Sequence, residues 1–349
     1  MSGVIVTITL NAALHVDYAT GEVDAGGIRP VSKPGYRAGG RGVTAARVLR
    51  AFGHDVVAAG LAGGASGELI REDLARSGVP TAFTLIRGES RRIFRFAGPE
   101  DGDPGEQVMR FGETAPYITT EELGRFAADY RRLLVGAAAV VLCGSLPDGL
   151  PPDTYGSLVT YAAEAGVPVI LDVGGEELKH AIGHGPDLVV VETSSPEPGL
   201  GTDLIRLGAG AAAVTAGHAV HAVTAAGEWT AHVAATDADV RLHPSRGALV
   251  AGLVPGQLLG WSWPDRLRHA LALAAGGARV GAKVPGGPEG RSYVDLVRYE
   301  RLLDVVSVKA VLVRCCQGRT ATGPHRPAPS SVAHEDTRYE ERILQSVNV

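Results

Sequence analysis

The sequence predicts an α/β fold: a doubly wound, mostly parallel sheet with helices on both faces and a small β-sheet projecting from it. Three observations carry that prediction. Short, continuously apolar runs recur along the chain, as strands buried on both faces require. Helix-length segments with apolar spacing separate them and end at glycine. Glycine is abundant, at 47 residues in a chain of 349, and suits tight strand-to-helix turns.

The elements follow in order. "VIVTITL" (Val4–Leu10) reads as a first strand, and no basic stretch precedes it to suggest a signal peptide. "YATGEVDAGGIRPVSKPGYRAGG" (Tyr18–Gly40) breaks the rhythm with turns and charge. "GVTAARVLRAFG" is helical and "VVAAGLAG" (Val56–Gly63) is a strand. "TAFTLIRGESRRIFRFAGP" (Thr81–Pro99) is a second irregular region, in which "RRIFRF" alternates like a strand with one wet face. The two irregular regions are expected to pair as the projecting sheet, over about residues 12–38 and 81–115. "TTEELGRFAADYRRLLVG" is a helix capped by Thr119 or Thr120, with Glu121 and Glu122 favouring its dipole.

"AAVVLCGSLP" (Ala138–Pro147), "VPVILDVGG" (Val167–Gly175) and "DLVVVET" (Asp187–Thr193) continue the strands, with "PPDTYGSLVTYAAEAG" as a helix between the first two. In "LHPSRGALVAG" (Leu242–Gly252), Ser245 is a candidate N-cap for a helix beginning at Ala248. Residues 1–310 read as one domain. Beyond Ala310 the chain turns polar and Pro/Ser-bearing, and 311–349 reads as a disordered tail.

Composition narrows the function classes. Hydrophobic residues at 45% and charged residues at 20% fit a globular protein. The net charge of -5 gives no reason to expect nucleic acid or a membrane surface as partner. The three cysteines form neither a disulfide framework nor a metal-ligand spacing, so a cytoplasmic setting is expected. His180 with His184, and His218 with His221 in a strand where they would face opposite ways, complete no familiar metal site.

Several motifs carry chemistry. "AGGRGVTAARVLRAFG" (Ala38–Gly53) sets glycines around Arg41 at a helix start, which suits either an anion site or a glycine-rich turn with a surface arginine. "LCGSLPDGLPP" lies at the expected carboxyl end of a strand, where open α/β sheets place ligands. Its Ser145 is a candidate hydrogen-bond donor or part of a proline-shaped turn, and it lacks the spacing of a hydrolase nucleophile. Asp172 ends another strand and either faces the ligand crevice or caps the next helix. "GLAGGASGEL" lacks the G-x-G-x-x-G spacing of a dinucleotide site.

Taken together, "TLNAALHVDY", "GGRG", "GSLPDGLP", "ILDVGGEEL" and "LVAG" give a chain that resembles the PfkB/ribokinase family of sugar kinases. The resemblance runs from about Val4 to Ala282 and is strongest to the 1-phosphofructokinase and tagatose-6-phosphate kinase branch. It implies a ribokinase-like domain with a small β lid, and transfer of the ATP γ-phosphate to a sugar hydroxyl. It also implies a sugar phosphate or related small anion as ligand, a homodimer through the lid, and ATP and Mg if activity is retained.

The same resemblance marks departures. The family's late GAGD motif falls on Pro244-Ser245-Arg246-Gly247, so the general-base position is Gly247 and the anion hole contains a proline and an arginine. No catalytic residue is retained at these positions. The nucleotide and Mg region falls on Glu192, Ser195, Thr215 and Gly217, without the family's lysine, asparagine and Mg-linked glutamate at their usual spacing.

The glycine-rich motif reads Gly39-Gly40-Arg41-Gly42-Val43-Thr44, with arginine for lysine and threonine for asparagine. The early sugar-contacting Asp is His15, with Asp17 as candidate stand-in. Arg41, Arg91 and Ser145 match positions that contact a substrate phosphate, and Asp172 is kept. Loss of a general base costs about 10²–10⁴-fold and loss of an oxyanion donor about 10²–10³-fold, without simple multiplication. The expectation is an impaired kinase that acts by binding. The alternative is an active phosphotransferase with a rearranged site, in which Asp237 or Asp239 supplies the base.

Overall fold

Alternation along single strands decides which layer each side chain enters. In the computed structural model, Ile5 faces one core, while Val6 and Ile8 face the other. The structure describes residues 3–19, 33–97, 109–194, 198–233, 245–276 and 306–311. Of the expected tail, 311–349, Val311 instead pairs with Glu228 in the main sheet, and the rest lies outside these residues, as do Pro244, Ser195, Asp237 and Asp239.

The chain begins with β1 (Val4–Thr9), β2 (Ala13–Ala19), β3 (Gly35–Gly39), α1 (Arg41–Ala51), β4 (Val56–Gly63) and α2 (Gly64–Arg76). There follow β5 (Thr81–Ile86), β6 (Arg92–Ala97), β7 (Met109–Gly112), α3 (Thr120–Leu134), β8 (Ala137–Cys143), α4 (Thr154–Glu164), β9 (Val169–Asp172) and α5 (Gly175–Ala181). Then come β10 (Leu188–Glu192), α6 (Leu200–Arg206), β11 (Ala211–Ala216), β12 (Ala219–Thr224), β13 (Gly227–Val233), α7 (Arg246–Leu259), α8 (Trp263–Gly276) and β14 (Val306–Val311).

Ten strands form the main sheet in the order β14-β13-β12-β11-β10-β9-β8-β1-β4-β5. From β11 to β5 the neighbours are parallel, whereas β12, β13 and β14 join antiparallel. Residues from α1, α2, α7 and α8 fill the core on one face. Residues from α3, α4, α5 and α6 fill the other, where buried Tyr130 donates to the Leu158 carbonyl at 3.1 Å. Thr119 caps α3 in a capping box with Glu122, which selects between the two expected caps.

A second sheet, β3-β2-β6-β7, is the lid. Its composition corrects the sequence reading in one place. Thr81–Ile86 does not join the lid but pairs parallel with β4 at the edge of the main sheet. Its Leu85 is exposed while Phe83 and Ile86 are buried, so an edge strand looks half-wet, like a lid strand. A further correction concerns His218, which sits in the turn between β11 and β12 and not in a strand.

Candidate functional site

The chain leaves β1 toward β4 and β5 on one side and returns to β8 on the other. That reversal opens a crevice beyond the carboxyl ends of β1 and β8, the usual ligand position in open α/β sheets. Asn11, just past β1, donates from Nδ2 to Ser145 Oγ at 3.2 Å, so the two strand ends meet across it. Ser145 is exposed there, and the Glu177 carboxylate accepts from the Leu146 amide at 3.2 Å and steadies its loop.

The glycine-rich turn lies directly over β1. A Cβ at Gly42 would fall 2.5 Å from Thr9 Oγ1 and 2.9 Å from the Ile8 carbonyl oxygen. At Gly40, φ is 128° and a Cβ would meet Thr9 Cγ2 at 2.7 Å. Glycine is therefore required for the start of α1 to approach the strand this closely. A Cβ at Gly39 would collide with the His15 ring at 2.2 Å, so the lid's His15 rests on the same turn.

Asp172 is fully buried at the end of β9 and lies between two guanidiniums. Arg41 Nε is 3.2 Å from Oδ2, and Arg41 also donates to the Asp172 carbonyl at 3.2 Å. Arg246 Nε is 2.6 Å from Oδ1. Both carboxylate contacts are close ionic approaches without hydrogen-bond alignment. Arg246 also donates to the Val190 carbonyl at 3.0 Å and reaches Glu192 at 3.5 Å. Asp172 thus does not cap the next helix, whose N-cap Gly174 makes no side-chain cap bond. Beneath it, burial first and the Asp172 charge second push the Cys143 thiol well above its ordinary pKa.

The helix expected from Ala248 begins two residues earlier, at Arg246. Ser245 Oγ accepts from the Ala248 amide at 3.4 Å, which uses one of the free amides at this end. Gly247 is buried against α1: a Cβ there would lie 2.7 Å from the Arg41 carbonyl oxygen and 2.8 Å from Thr44 Cβ. Thr44 is accordingly a packing partner of Gly247.

In the lid, His15 stands opposite Arg37, and Asp17 reaches Arg37 at 4.0 Å. Burial pushes the His15 pKa down to about 4, helped by the charges of Arg37, Arg91 and Arg110 against the opposing pull of Asp17. Arg91 is half-buried, and its Nε has no hydrogen-bond partner among the described residues. On the far side of the crevice Thr215 donates to the Val191 carbonyl at 3.0 Å, and Gly217 makes the β11–β12 turn at φ 55°. Among the described residues no three His, Cys, Asp or Glu side chains are placed to hold a metal ion.

The structure therefore brings Arg41, Asp172, Arg246 and Glu192 into one ionic group, and His15, Asp17 and Arg91 into a second group in the lid. Reading the sequence missed Arg37, Arg95 and Arg110. Their signal was the alternation of the lid strands, which puts them on the His15 face.

The model of the pfkB family of carbohydrate kinases matches residues 8–233. The chain belongs to this family. The family match ends before α7. A tagatose-6-phosphate kinase of Staphylococcus epidermidis is 33% identical over 178 residues, covering 51% of this chain and 56% of that protein. The chain thus spans about half the length of the curated relatives it matches.

Solved structures of phosphofructokinases are among those that share the fold. A possible 1-phosphofructokinase from Thermotoga maritima is 20% identical with a TM-score of 0.74, over 88% of this chain and 100% of that one. The tetrameric inhibited form of phosphofructokinase-2 from Escherichia coli is 19% identical with a TM-score of 0.75, over 86% and 98%.

Proposed function

We propose that this pfkB-family protein binds a sugar phosphate or related small anion and is impaired in phosphoryl transfer. The start of α7 carries this reading. Gly247, at the position the resemblance gives to the general base, has no proton acceptor. Its Cα packs so closely on the Arg41 carbonyl that a larger side chain requires a backbone shift. Arg246 replaces a small anion-hole residue, and its guanidinium is engaged by Asp172, Glu192 and the Val190 carbonyl. Glu192, on the nucleotide side by the resemblance, meets that arginine at 3.5 Å, and among the described residues it belongs to no metal-ligand cluster. The pairing of Arg246 with Asp172 and Glu192 weighs against an ATP–Mg site at this turn. Arg41, Arg91 and Ser145 remain for the ligand.

Thermal-shift measurements with tagatose 6-phosphate and fructose 1-phosphate, with and without ATP–Mg, test this alongside a coupled assay of ATP turnover. The expected result is stabilisation by a sugar phosphate alone and turnover at least about 100-fold below an ordinary kinase. Ordinary turnover that disappears in Arg41→Ala would overturn the reading. It would point to an active enzyme with a rearranged base, with Asp237 and Asp239 as first candidates.

The lid supports a homodimer as part of this proposal. The lid face that bears Leu14 and Val16 also exposes Tyr36, Met109 and Phe111, and Phe96 stacks on Tyr18 there with ring centroids 5.2 Å apart. Sedimentation of the wild type and Phe111→Glu tests it, with loss of the dimer expected in the variant. Cysteine usage supports a cytoplasmic setting as a further part of the proposal, and none of the described helices is long and apolar enough to cross a membrane.

A further inference from the structure

The chain passes between the main sheet and the lid at four places: β1 to β2, β3 to α1, β5 to β6 and β7 to α3. Side chains hold each of them. In the first, Asn11 meets Ser145 through a neutral bond open to solvent. In the second, Asp73 of α2 accepts from the Ala38 amide at 2.7 Å, and buried Arg47 of α1 donates to the Ala38 carbonyl at 3.1 Å. In the third, exposed Glu89 accepts from the Ala65 and Ser66 amides at 3.1 and 2.6 Å, and Ser90 Oγ accepts from the Gly63 amide at 3.0 Å.

One buried residue holds the third and fourth passages together. Glu122 of α3 is 2% exposed. Its Oε1 accepts from the Arg87 amide at 2.7 Å, in the passage from β5 to β6. Its Oε2 accepts from the Thr119 amide and hydroxyl, each at 2.9 Å, at the end of the passage from β7. The two passages also touch, since a Cβ at Gly88 would fall 2.8 Å from Pro116 Cβ. A capping box needs one carboxylate oxygen, so the bond to Arg87 is additional to it. Burial opposes the charge on Glu122, yet the Thr119 and Arg87 amides hold its carboxyl below the usual range. Charge-assisted bonds sheltered from water are stronger than those between neutral groups. From Arg87 the passage runs into the lid, where the Arg91 carbonyl accepts from the Leu14 amide at 2.9 Å and seats β2 beside β6. We infer that Glu122 is a positioning residue for the lid: its two oxygens couple both passages to α3 and set how the lid stands over the crevice. Strands β8, β9 and β10 pair with one another directly and do not need this tie.

Hydrogen exchange of the full chain, read by mass spectrometry, tests this with three variants. Glu122→Gln keeps an oxygen for the capping box and sets an N–H against one of the two donors, so one passage loses its acceptor. Strands β2, β3 and β6 are expected to exchange about tenfold faster or more, with β8 and β9 at wild-type rates. Glu122→Asp, which keeps the charge and shortens the reach, should show the same lid-only effect. Thr119→Ala removes the cap hydroxyl alone and should loosen the first turn of α3 without reaching the lid. Wild-type lid exchange in either Glu122 variant, acceleration of lid and main sheet alike, or an equal lid effect in Thr119→Ala overturns the inference. A Glu122 variant that fails to fold overturns it as well, because the whole domain would then need the residue.

Discussion

Two helix N-termini, those of α1 and α7, meet at Asp172, and they have been built to opposite ends. At α1, Gly40 and Gly42 let the turn lie on β1, and Arg41 is the single long side chain. About a third of that side chain remains open to solvent. At α7, Ser245 occupies a free amide, Gly247 is sealed against Arg41 and Thr44, and Arg246 is largely buried on the strand ends. A helix start attracts an anion only where its amides and charges are free to meet one. The α1 turn still meets that condition, and the α7 turn has turned its charge inward. The proposed impairment thus falls on one of two neighbouring anchors, while the shared acid and the packing around it remain.

The largest expected effect comes from removing what the two anchors share. Asp172→Ala leaves two guanidiniums facing a vacated, buried site, and breaking such a pair costs up to about 3 kcal/mol. Urea denaturation reads this directly. A loss well under 1 kcal/mol would mean that both arginines simply swing to solvent, and that Asp172 does not tie the helices together.

The next effect separates the two arginines. Arg246 is more buried than Arg41 and makes contacts to β9 and β10, so Arg246→Ala should cost about 2 kcal/mol and Arg41→Ala about 1 kcal/mol. Ligand binding should rank them in reverse. Arg41→Ala is expected to abolish the thermal shift given by sugar phosphate, and Arg246→Ala to leave it. Equal loss of binding in both would erase the distinction between the anchors.

Gly247→Asp, which restores an acid at the family's base position, should have a smaller net effect. Crowding the Arg41 carbonyl costs about 1–3 kcal/mol. An acid in the first turn of α7 returns about 0.3–1 kcal/mol through the helix dipole. A net destabilisation of about 1 kcal/mol without gain of turnover is expected. A variant that is both more stable and active would show that the α7 turn lost its base and nothing else.

How much of this was legible in the sequence follows from the range of the interactions. The parallel strands β1, β4, β8, β9 and β10 announced themselves because burial on both faces demands continuous apolar runs, whereas the half-wet edge strand β5 was read into the lid. Strands β11 to β13 did not, since β11 ("AAAVTA") is short and alanine-rich and β12 and β13 are only partly buried. The departures at Gly247 and Arg246 were visible through resemblance. Their consequence was not, because Arg246 meets Asp172 and Gly247 meets Arg41 only through the packing of α7 on α1. Local pattern carries no information about such a contact. Likewise "RRIFRF" showed one wet face but not which arginines it would collect, which depends on the cross-strand register with β2 and β7.

The smallest expected effect is a change of slope with pH on the α1 side. His15 rests on Gly39, and its pKa is pushed from 6.5 to about 4 by burial and neighbouring arginines. Above pH 6.5 the folded and unfolded chains both hold it neutral. As pH falls below 6.5 the unfolded chain takes up a proton that the folded chain refuses, so stability declines until about pH 4, where folded His15 also protonates. His269, half-buried beside the Phe52 and Trp261 rings, is pushed to about 4 as well and adds a parallel decline. His15→Gln should therefore lessen the fall of the urea midpoint between pH 6.5 and 4 without removing it. A sugar phosphate bound at the lid should lessen it in the wild type also, because an anion beside Arg37, Arg91 and Arg110 makes protonation of folded His15 easier. If His15→Gln follows the wild-type curve, the imidazole is not held neutral by this cluster. The α1 anchor would then be no more electropositive than the α7 anchor that has neutralised itself.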